Sequence, residues 1–288
     1  TERYTSGSPK KIVVNGSSGG SPLTKTYTGT QFKDALGLRS HYVKDIVGLV
    51  PFIPGADRTT LHDPGTGTWR FHNSKGTLGE FYFGNPGDFG FMGDWDCDGI
   101  DTPGLYRQSD GYVYLRNSNT QGIADVSFFF GNPGDMPMAG DFDDDGCDTV
   151  SIYRPSEGKF YIINALGAGD AGLGFADLSY YFGNPGDAPF MGDWDGDGID
   201  TPGLRRNSNG FVYLRDTNTQ GFADVEYFYG DPGDVVFTGD WDNDGDNTLG
   251  LYRPSNGTVY LRNTNDTGIA HFAYHMGTSA HRPVAGTP

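Results

Sequence analysis

Four segments of the sequence carry aspartates in one alternating pattern. They read GDWDCDGID, GDFDDDGCD, GDWDGDGID and GDWDNDGDN, and their first aspartates are Asp94, Asp141, Asp193 and Asp240. Aspartate stands at loop positions 1, 3 and 5, and glycine stands at position 6. Alternate carboxylates in a tight turn converge on one point, which is the all-oxygen arrangement that hard cations such as Ca²⁺ prefer. The spacing therefore predicts about four calcium sites, although aspartate and glycine are also common in solvated turns.

The predicted ligands follow from loop position. Positions 1, 3 and 5 supply carboxylates, position 7 supplies a backbone carbonyl, and position 8 supplies a further side-chain oxygen. The predicted metal ligands are Asp94, Asp96, Asp98, Ile100 and Asp101; Asp141, Asp143, Asp145, Cys147 and Asp148; Asp193, Asp195, Asp197, Ile199 and Asp200; and Asp240, Asp242, Asp244, Asp246 and Asn247. Position 12 of the first loop is Leu105, in a predicted strand, so these loops are not EF-hands. We expect structural rather than catalytic ions.

The acidic loops belong to a longer repeat of about 47 to 52 residues. After each loop come a strand ending in YR or RR, a glycine turn, an alternating strand, a polar loop, an aromatic strand and a GNPGD-type turn. Four short strands per unit are typical of a propeller blade. A degenerate unit begins at Pro51, and HRPVAGTP at the end resembles a spare inner strand. We predict an all-β propeller of five four-stranded blades closed by the chain ends, with six or seven blades or an open array as alternatives.

These units resemble the calcium-loop propeller repeats of the FG-GAP/VCBS type, which occur in integrin α-subunits and many bacterial exoproteins. The resemblance covers about residues 51–288 and implies a β-propeller stabilised by calcium. The sequence departs from the integrin-type loop at position 9, where aspartate is replaced by Thr102, Thr149, Thr201 and Thr248.

Residues 1–43 differ in style from the repeats. KIVVNGSSGG and LTKTYTG predict a β-hairpin, and TGTQFKDALGLRSHYV predicts a short helix with an N-cap at Thr28 or Thr30. This segment resembles the C-terminal end of an amidase-enhancer domain related to sporulation stage II protein D, whose catalytic portion would lie upstream. The matching residues are Gly29, Phe32, Leu36, Gly37, Leu38, Arg39, Ser40 and Tyr42. The resemblance implies a parent protein at a bacterial cell wall, and residues 44–50 would form a linker.

Composition limits the classes of partner. The chain has 20 Lys plus Arg against 37 Asp plus Glu, a formal net charge of −17. Such an acidic protein lacks the basic stripe of a nucleic-acid binder and is not attracted to anionic lipid. No apolar run approaches the ~18 residues of a membrane span. The chain opens without a signal peptide, so an exported protein would be represented here by its mature form.

Several recurring residues have structural interpretations. Trp95, Phe142, Trp194 and Trp241 at loop position 2 are predicted to be core residues between blades. Arginines recur at strand ends (Arg107, Arg154, Arg206, Arg253) and on the next strand (Arg116, Arg215, Arg262); we expect them to pair with aspartates of the acidic loops or GNPGD turns. Cys97 and Cys147 form a disulfide or stay separate; the sequence leaves this open.

The six histidines do not stand in a triad or HExxH context, and we predict no catalytic residue. The expected protein is a secreted, extracellular, calcium-stabilised propeller for binding or adhesion at a bacterial cell surface, with a glycan or protein as ligand. The alternatives are a targeting module of a peptidoglycan-active protein and a structural protein that self-assembles. The sequence does not identify the ligand.

Overall fold

The computed structural model describes residues 12–18, 21–27, 53, 55–72, 78–167 and 175–287. The chain divides into two compact units, Thr1–Gly48 and Leu49–Pro288. In the first unit, β1 (Ile12–Ser18) and β2 (Ser21–Tyr27) form the predicted antiparallel hairpin. The predicted helix after it lies outside the described residues.

The second unit contains five four-stranded antiparallel sheets, as predicted. Its first three strands are β3 (Arg58–Asp63), β4 (Thr68–His72) and β5 (Leu78–Tyr82). Four blades then follow in chain order, each made of consecutive strands. Blade 1 has β6 (Phe89–Gly93), β7 (Thr102–Arg107), β8 (Tyr112–Leu115) and β9 (Val126–Phe129); blade 2 has β10 (Met136–Gly140), β11 (Thr149–Arg154), β12 (Lys159–Ile162) and β13 (Leu178–Tyr181); blade 3 has β14 (Ala188–Gly192), β15 (Thr201–Arg206), β16 (Phe211–Leu214) and β17 (Val225–Phe228); blade 4 has β18 (Val235–Gly239), β19 (Thr248–Arg253), β20 (Thr258–Leu261) and β21 (Phe272–His275).

The last strand, β22 (Arg282–Gly286), pairs antiparallel with β3 and completes the fifth sheet, which we name the closing blade. Arg282 lies opposite His62, and Gly286 lies opposite Arg58. The innermost strands β6, β10, β14, β18 and β22 each contact the next, and β22 also contacts β6. The structure is therefore a closed five-bladed β-propeller in which a C-terminal strand closes the ring, which removes the open sheet edges.

Large aromatic side chains fill the spaces between blades. Trp95, Phe142, Trp194 and Trp241 are all buried, which confirms their predicted core role. Trp95 packs edge-on against Phe91, with ring centroids 5.4 Å apart, and its indole N–H donates to the carbonyl of Thr102 at 3.0 Å. In blades 1 to 4, glycine ends the inner strand where this ring lies close to the backbone: a Cβ at Gly93 would lie 2.7 Å from the Trp95 ring.

Salt bridges stabilise the opposite end of four of the five blades. In blades 1 to 4, the arginine that ends the second strand binds the buried aspartate of a GNPGD-type turn, as predicted. The pairs are Arg107–Asp88 at 3.0 Å, Arg154–Asp135 at 2.8 Å, Arg206–Asp187 at 2.9 Å and Arg253–Asp234 at 2.7 Å. Each aspartate also accepts a backbone N–H of its own turn, as Asp88 does from Asn85 at 2.9 Å. Charge-assisted bonds to a buried carboxylate fix the position of the turn and of the inner strand that follows it.

Candidate metal centres

The four acidic loops join the first and second strands of blades 1 to 4. In each loop the carboxylates at positions 1, 3 and 5 converge, and one oxygen from each lies within 4.8 Å of the others. The position-5 carboxylates are exposed and those at position 1 are partly buried. The triads are Asp94, Asp96 and Asp98; Asp141, Asp143 and Asp145; Asp193, Asp195 and Asp197; and Asp240, Asp242 and Asp244.

The position-1 carboxylate organises each loop. In the first loop, Asp94 accepts the backbone N–H groups of Asp98 at 3.0 Å and Gly99 at 2.7 Å. Equivalent bonds reach Asp141, Asp193 and Asp240. The chain turns through a left-handed residue at position 6, where Gly99 has φ of 80°. Glycine adopts this conformation without steric cost, so the predicted bend is explained by the residue that occupies it.

Position 4 is left-handed as well, and this was not predicted. Cys97, Asp144 and Asn243 are the non-glycine residues with positive φ in the described part of the chain, and Gly196 takes the same place in the third loop. Asparagine and aspartate tolerate this region better than other residues. Two left-handed residues per loop turn the side chains of positions 3 and 5 toward that of position 1.

The position-8 side chains lie outside the triads, in links between neighbouring blades. Asp148 accepts the backbone N–H of Asp94 at 2.9 Å, and its own N–H donates to the carbonyl of Asp94 at 2.9 Å. The same reciprocal pair recurs around the ring. The other links are Asp200 with Asp141, Asn247 with Asp193, Asp57 with Asp240, and Asp101 with Thr287. Each position-8 side chain thus connects its loop to the one before it.

These link carboxylates have raised pKa values. Desolvation is the main cause for Asp57, Asp101, Asp148 and Asp200. Repulsion from nearby carboxylates adds to it, as between Asp148 and Asp200, while the accepted backbone N–H opposes it. Inside a triad, the pKa of Asp143 is also raised, first by desolvation and then by Asp145 and Asp141. The loop end of the ring therefore concentrates negative charge that a cation would offset.

Position-7 residues make a bond within their own loop. The backbone N–H of Ile100 donates to Asp98 at 3.0 Å, and those of Cys147, Ile199 and Asp246 do the same to the position-5 carboxylate. The use of their carbonyls as metal ligands stays a prediction.

A disulfide joins the first two acidic loops. Cys97 at position 4 of one loop bonds Cys147 at position 7 of the next, with Cα atoms 4.7 Å apart. The sequence left this pairing open, because it depends on the closeness of two neighbouring blades. The crosslink closes a chain segment with a separation of 50 residues and adds a covalent bond to the hydrogen-bonded link between blades 1 and 2.

The donor set fits a hard cation. Three carboxylate oxygens, without nitrogen or sulfur, meet at an exposed loop, and this chemistry suits Ca²⁺ or Mg²⁺ rather than a softer metal. Nothing in the arrangement resembles a nucleophile beside a base. A structural ion at each loop is the chemistry that these residues support best.

Sequence reasoning missed a second feature at the same end of the propeller. The loops between the third and fourth strands each present one large apolar side chain to solvent. These side chains are Ile123, Phe175, Phe222 and Ile269, which are 81% to 92% exposed. The signal was present as a repeated G-I/F-A-D/H motif after the polar loop. Because the strands alternate in direction, these loops leave the blades at the same end as the acidic loops.

Arginines fix three of these loops, and here the sequence expectation was wrong. Arg116 does not pair with an acidic loop or a GNPGD turn. It donates to the carbonyls of Thr120 and Ile123, both at 2.7 Å, and lies 3.8 Å from Asp125. Arg215 and Arg262 do the same in blades 3 and 4. A guanidinium with several donors suits the bare carbonyls of a tight loop.

The polar loops are also tied to the acidic loops. The side-chain amide of Asn119 donates to the carbonyl of Asp101 at 3.0 Å, Asn218 to that of Asp200 at 2.8 Å, and Asn265 to that of Asn247 at 3.0 Å. The exposed apolar side chains and the triads therefore belong to one hydrogen-bonded face, which we name the loop face.

No protein-family model matches the chain, and no curated protein matches it. Solved structures resemble it at a distance. A protein of unknown function from Bacteroides caccae is 9% identical with a TM-score of 0.43, over 76% of this chain and 73% of that one. A streptogramin B lyase is 14% identical with a TM-score of 0.40, over 81% and 72%. The virginiamycin B lyase of Staphylococcus aureus is 11% identical with a TM-score of 0.39, over 75% and 65%. Likenesses this distant transfer no activity to the chain.

Among the described residues, no helix is long and apolar enough to cross a membrane.

Proposed function

We propose that this protein is a calcium-stabilised, non-enzymatic propeller that binds a ligand of a bacterial cell surface through its loop face. The observation that carries the proposal is the fourfold recurrence of a carboxylate triad within 4.8 Å, tied by hydrogen bonds to loops that expose apolar side chains. The cell-surface setting depends on the resemblance of residues 1–43 to a cell-wall domain. Targeting of a peptidoglycan-active domain and surface self-assembly are the alternatives.

Calcium is supported by charge and placement. Three carboxylates of one loop repel one another, and the adjoining link carboxylates have raised pKa values. A divalent ion at each triad would offset this repulsion and hold positions 1, 3 and 5 together. Because each position-1 residue also bonds the next blade, an ion there would stiffen the ring as well as its own loop.

Binding is supported by the exposed apolar residues. Single exposed apolar side chains are common on protein surfaces. Here four nearly fully exposed side chains recur at one repeat position, and arginines hold three of the loops in place. A loop that is already rigid loses little conformational entropy on binding, so more of the free energy of its contacts contributes to affinity. Four equivalent contacts also suit a repetitive ligand such as a glycan or a polymer of protein subunits.

Thermal melting with and without metal tests the calcium part. At a calcium concentration 100-fold above Kd, each site adds about 2.7 kcal/mol of stability, so removal of all four ions by EGTA should lower the melting temperature by about 20 °C or more. The paired substitution Asp195→Asn and Asp197→Asn should remove one quarter of the bound calcium, measured by titration calorimetry. Glu226→Gln, an exposed charge outside the triads, is the control. Equal melting in calcium and EGTA would contradict the proposal.

Sedimentation with purified peptidoglycan sacculi tests the binding part. The triple substitution Ile123→Ser, Phe222→Ser and Ile269→Ser should abolish co-sedimentation of the calcium-loaded protein. Tyr82→Ser with Tyr181→Ser, which changes half-exposed aromatics of outer strands, should leave it intact. Loss with both variants, or with neither, would exclude the loop face as the binding surface. Release of soluble muropeptides by the protein would overturn the non-enzymatic assignment.

A further inference from the structure

The inner strands of all five blades surround a central cavity of about 440 Å³. Most of its lining is apolar. The first residue of each inner strand lines one end of this cavity, which we name the turn end because the GNPGD-type turns lie there. These residues are Phe89, Met136, Ala188, Val235 and Arg282. The volume is within the ~300–1,000 Å³ range of small-molecule sites.

Arg282 breaks the repeat at the turn end. The other four blades place an apolar residue at this position, so the fold does not require a charge there. The Arg282 guanidinium lies 4.7 Å from the centroid of the Phe89 ring, in a cation–π contact. Among the described residues, no hydrogen bond or ion pair joins it. By contrast, the arginines that end the second strands of blades 1 to 4 each bind a buried aspartate.

Arg282 is an exposed residue at the turn end of the cavity. Desolvation by the surrounding protein lowers the pKa of Arg282, and no nearby carboxylate offsets it. Arginine stays charged even so, because its ordinary pKa lies far above physiological pH. Its N–H donors therefore lie at the end of a mostly apolar cavity without a protein acceptor, where a bound carboxylate could replace water as their partner.

The two ends of the inner strands carry opposite charge. Arg282 begins β22, and Gly286 ends it. Gly286 lies against the Asp101 carboxylate: a Cβ atom added at Gly286 would lie 3.0 Å from its oxygen Oδ2. Asp148 and Asp200 occupy the same place beside Gly93 and Gly140. An anion in the cavity would be repelled from the carboxylate end and attracted to the turn end. The charge pattern therefore gives a ligand an orientation as well as a position.

We propose that the central cavity binds a small organic carboxylate with a flat or linear apolar body. The carboxylate would accept two N–H donors from Arg282, and the apolar body would pack on Phe89, Met136 and Val235 inside the ring. A purely apolar ligand would gain nothing from the guanidinium, and an inorganic anion would leave the apolar wall in water. This site is separate from the loop face and its metals.

Titration calorimetry with phenylacetate, hexanoate and benzoate on the intact, calcium-loaded protein tests the proposal. At least one of the three should bind, and phenylacetamide, the neutral counterpart of phenylacetate, should bind at least about tenfold more weakly. Arg282→Gln should weaken carboxylate binding by a similar factor and leave amide binding unchanged. Lys159→Gln removes the same charge from an outer strand and should have no effect.

Equal binding of phenylacetate and phenylacetamide would overturn the proposal, as would unchanged binding by Arg282→Gln. Absence of millimolar binding by all three carboxylates would also overturn it. Folding of Arg282→Gln is checked by its melting temperature. If that variant does not fold, Phe89→Leu replaces it: this change keeps an apolar lining residue but removes the ring, so it should weaken phenylacetate more than hexanoate. Loss of sacculus binding by loop-face variants would not alter these titrations, so the two proposals fail independently.

Discussion

Four blades of the ring are each built from one continuous stretch of chain, whereas the closing blade is built from two stretches far apart in sequence. Blades 1 to 4 each have an acidic loop between their first two strands, whereas the first two strands of the closing blade, β22 and β3, are not consecutive in the chain and no such loop joins them. The link between blades nevertheless continues through it: Asp57 occupies position 8, and Thr287 occupies position 1. The difference shows that the acidic loop and the interblade link are separable parts of the repeat.

The closing blade also replaces polar residues that the regular blades share. The strand-end arginine is replaced by Asp63, and the buried aspartate of the GNPGD turn by His281. His62 stands where blades 1, 2 and 4 have Tyr106, Tyr153 and Tyr252, whose hydroxyls donate to turn carbonyls. His62 is fully buried, and neither ring nitrogen has a hydrogen-bond partner in the structure. The closing blade thus keeps the shape of the repeat without the arginine–aspartate salt bridge: His281 accepts the backbone N–H of Thr278 at 3.1 Å and lies 3.2 Å from the Arg70 guanidinium.

Removing the closing strand should have the largest effect. A chain that ends at Thr278 loses β22, its ladder with β3 and the buried Val284. We expect a loss of at least about 5 kcal/mol, comparable with the whole stability of many domains, because the ring opens at two edges. Circular dichroism melting should show no cooperative transition near that of the full chain.

Addition of a synthetic peptide of residues 279–288 is the matched test of that truncation. If closure by β22 is what the ring lacks, the peptide should restore a cooperative transition in a concentration-dependent manner. A truncated chain that melts like the full one would show that blades 1 to 4 are stable without closure.

The repeat explains how much of this fold could be predicted. Strand order, blade number and the closing strand follow from period, turn residues and the spare HRPVAG segment. The triads follow from spacing inside one loop. The partners of Asp148 and Asp200 could not be predicted, because each bond crosses between blades over more than 50 residues of sequence. The exposure of Phe222 was also missed, because the repeated G-I/F-A-D/H motif does not by itself tell whether its apolar side chain is buried or exposed.

The titration of His62 should produce the next largest effect. Burial lowers its pKa from 6.5 to about 4. As pH falls below 6.5 the unfolded chain takes up a proton that the folded protein resists, so stability is lost between about pH 6.5 and pH 4, by up to about 3 kcal/mol. His62→Tyr should remove this part of the pH dependence, because tyrosine occupies the position in three regular blades. Urea denaturation at intervals of pH measures it.

The control for His62 is His275→Gln, which changes an exposed histidine of β21. Its stability should follow the wild-type pH profile. A difference between His62→Tyr and wild type that is the same at pH 7 and pH 4.5 would mean that packing, rather than protonation, distinguishes the two side chains.

Substitution of the link carboxylate in the closing blade should have the smallest effect and the opposite sign. The raised pKa of Asp57, caused first by desolvation, means that its charged form costs stability above its folded-state pKa. Asp57→Asn keeps an oxygen that accepts the N–H of Asp240 and removes the charge. Because Asp57 is only partly buried, we expect a gain of about 1 kcal/mol at pH 8 that disappears below about pH 3, where the wild-type carboxylate is protonated in both states.

Blade 4 already contains this substitution by nature. Asn247 makes the same link through its amide oxygen, at 2.9 Å from the N–H of Asp193. Asn247→Asp should therefore cost stability at pH 8 by a similar amount, and urea midpoints of the two variants should move in opposite directions. If Asp57→Asn destabilises the protein at pH 8, the charge of Asp57 serves the link itself, and the closing blade would depend on the carboxylate where blade 4 needs only an acceptor.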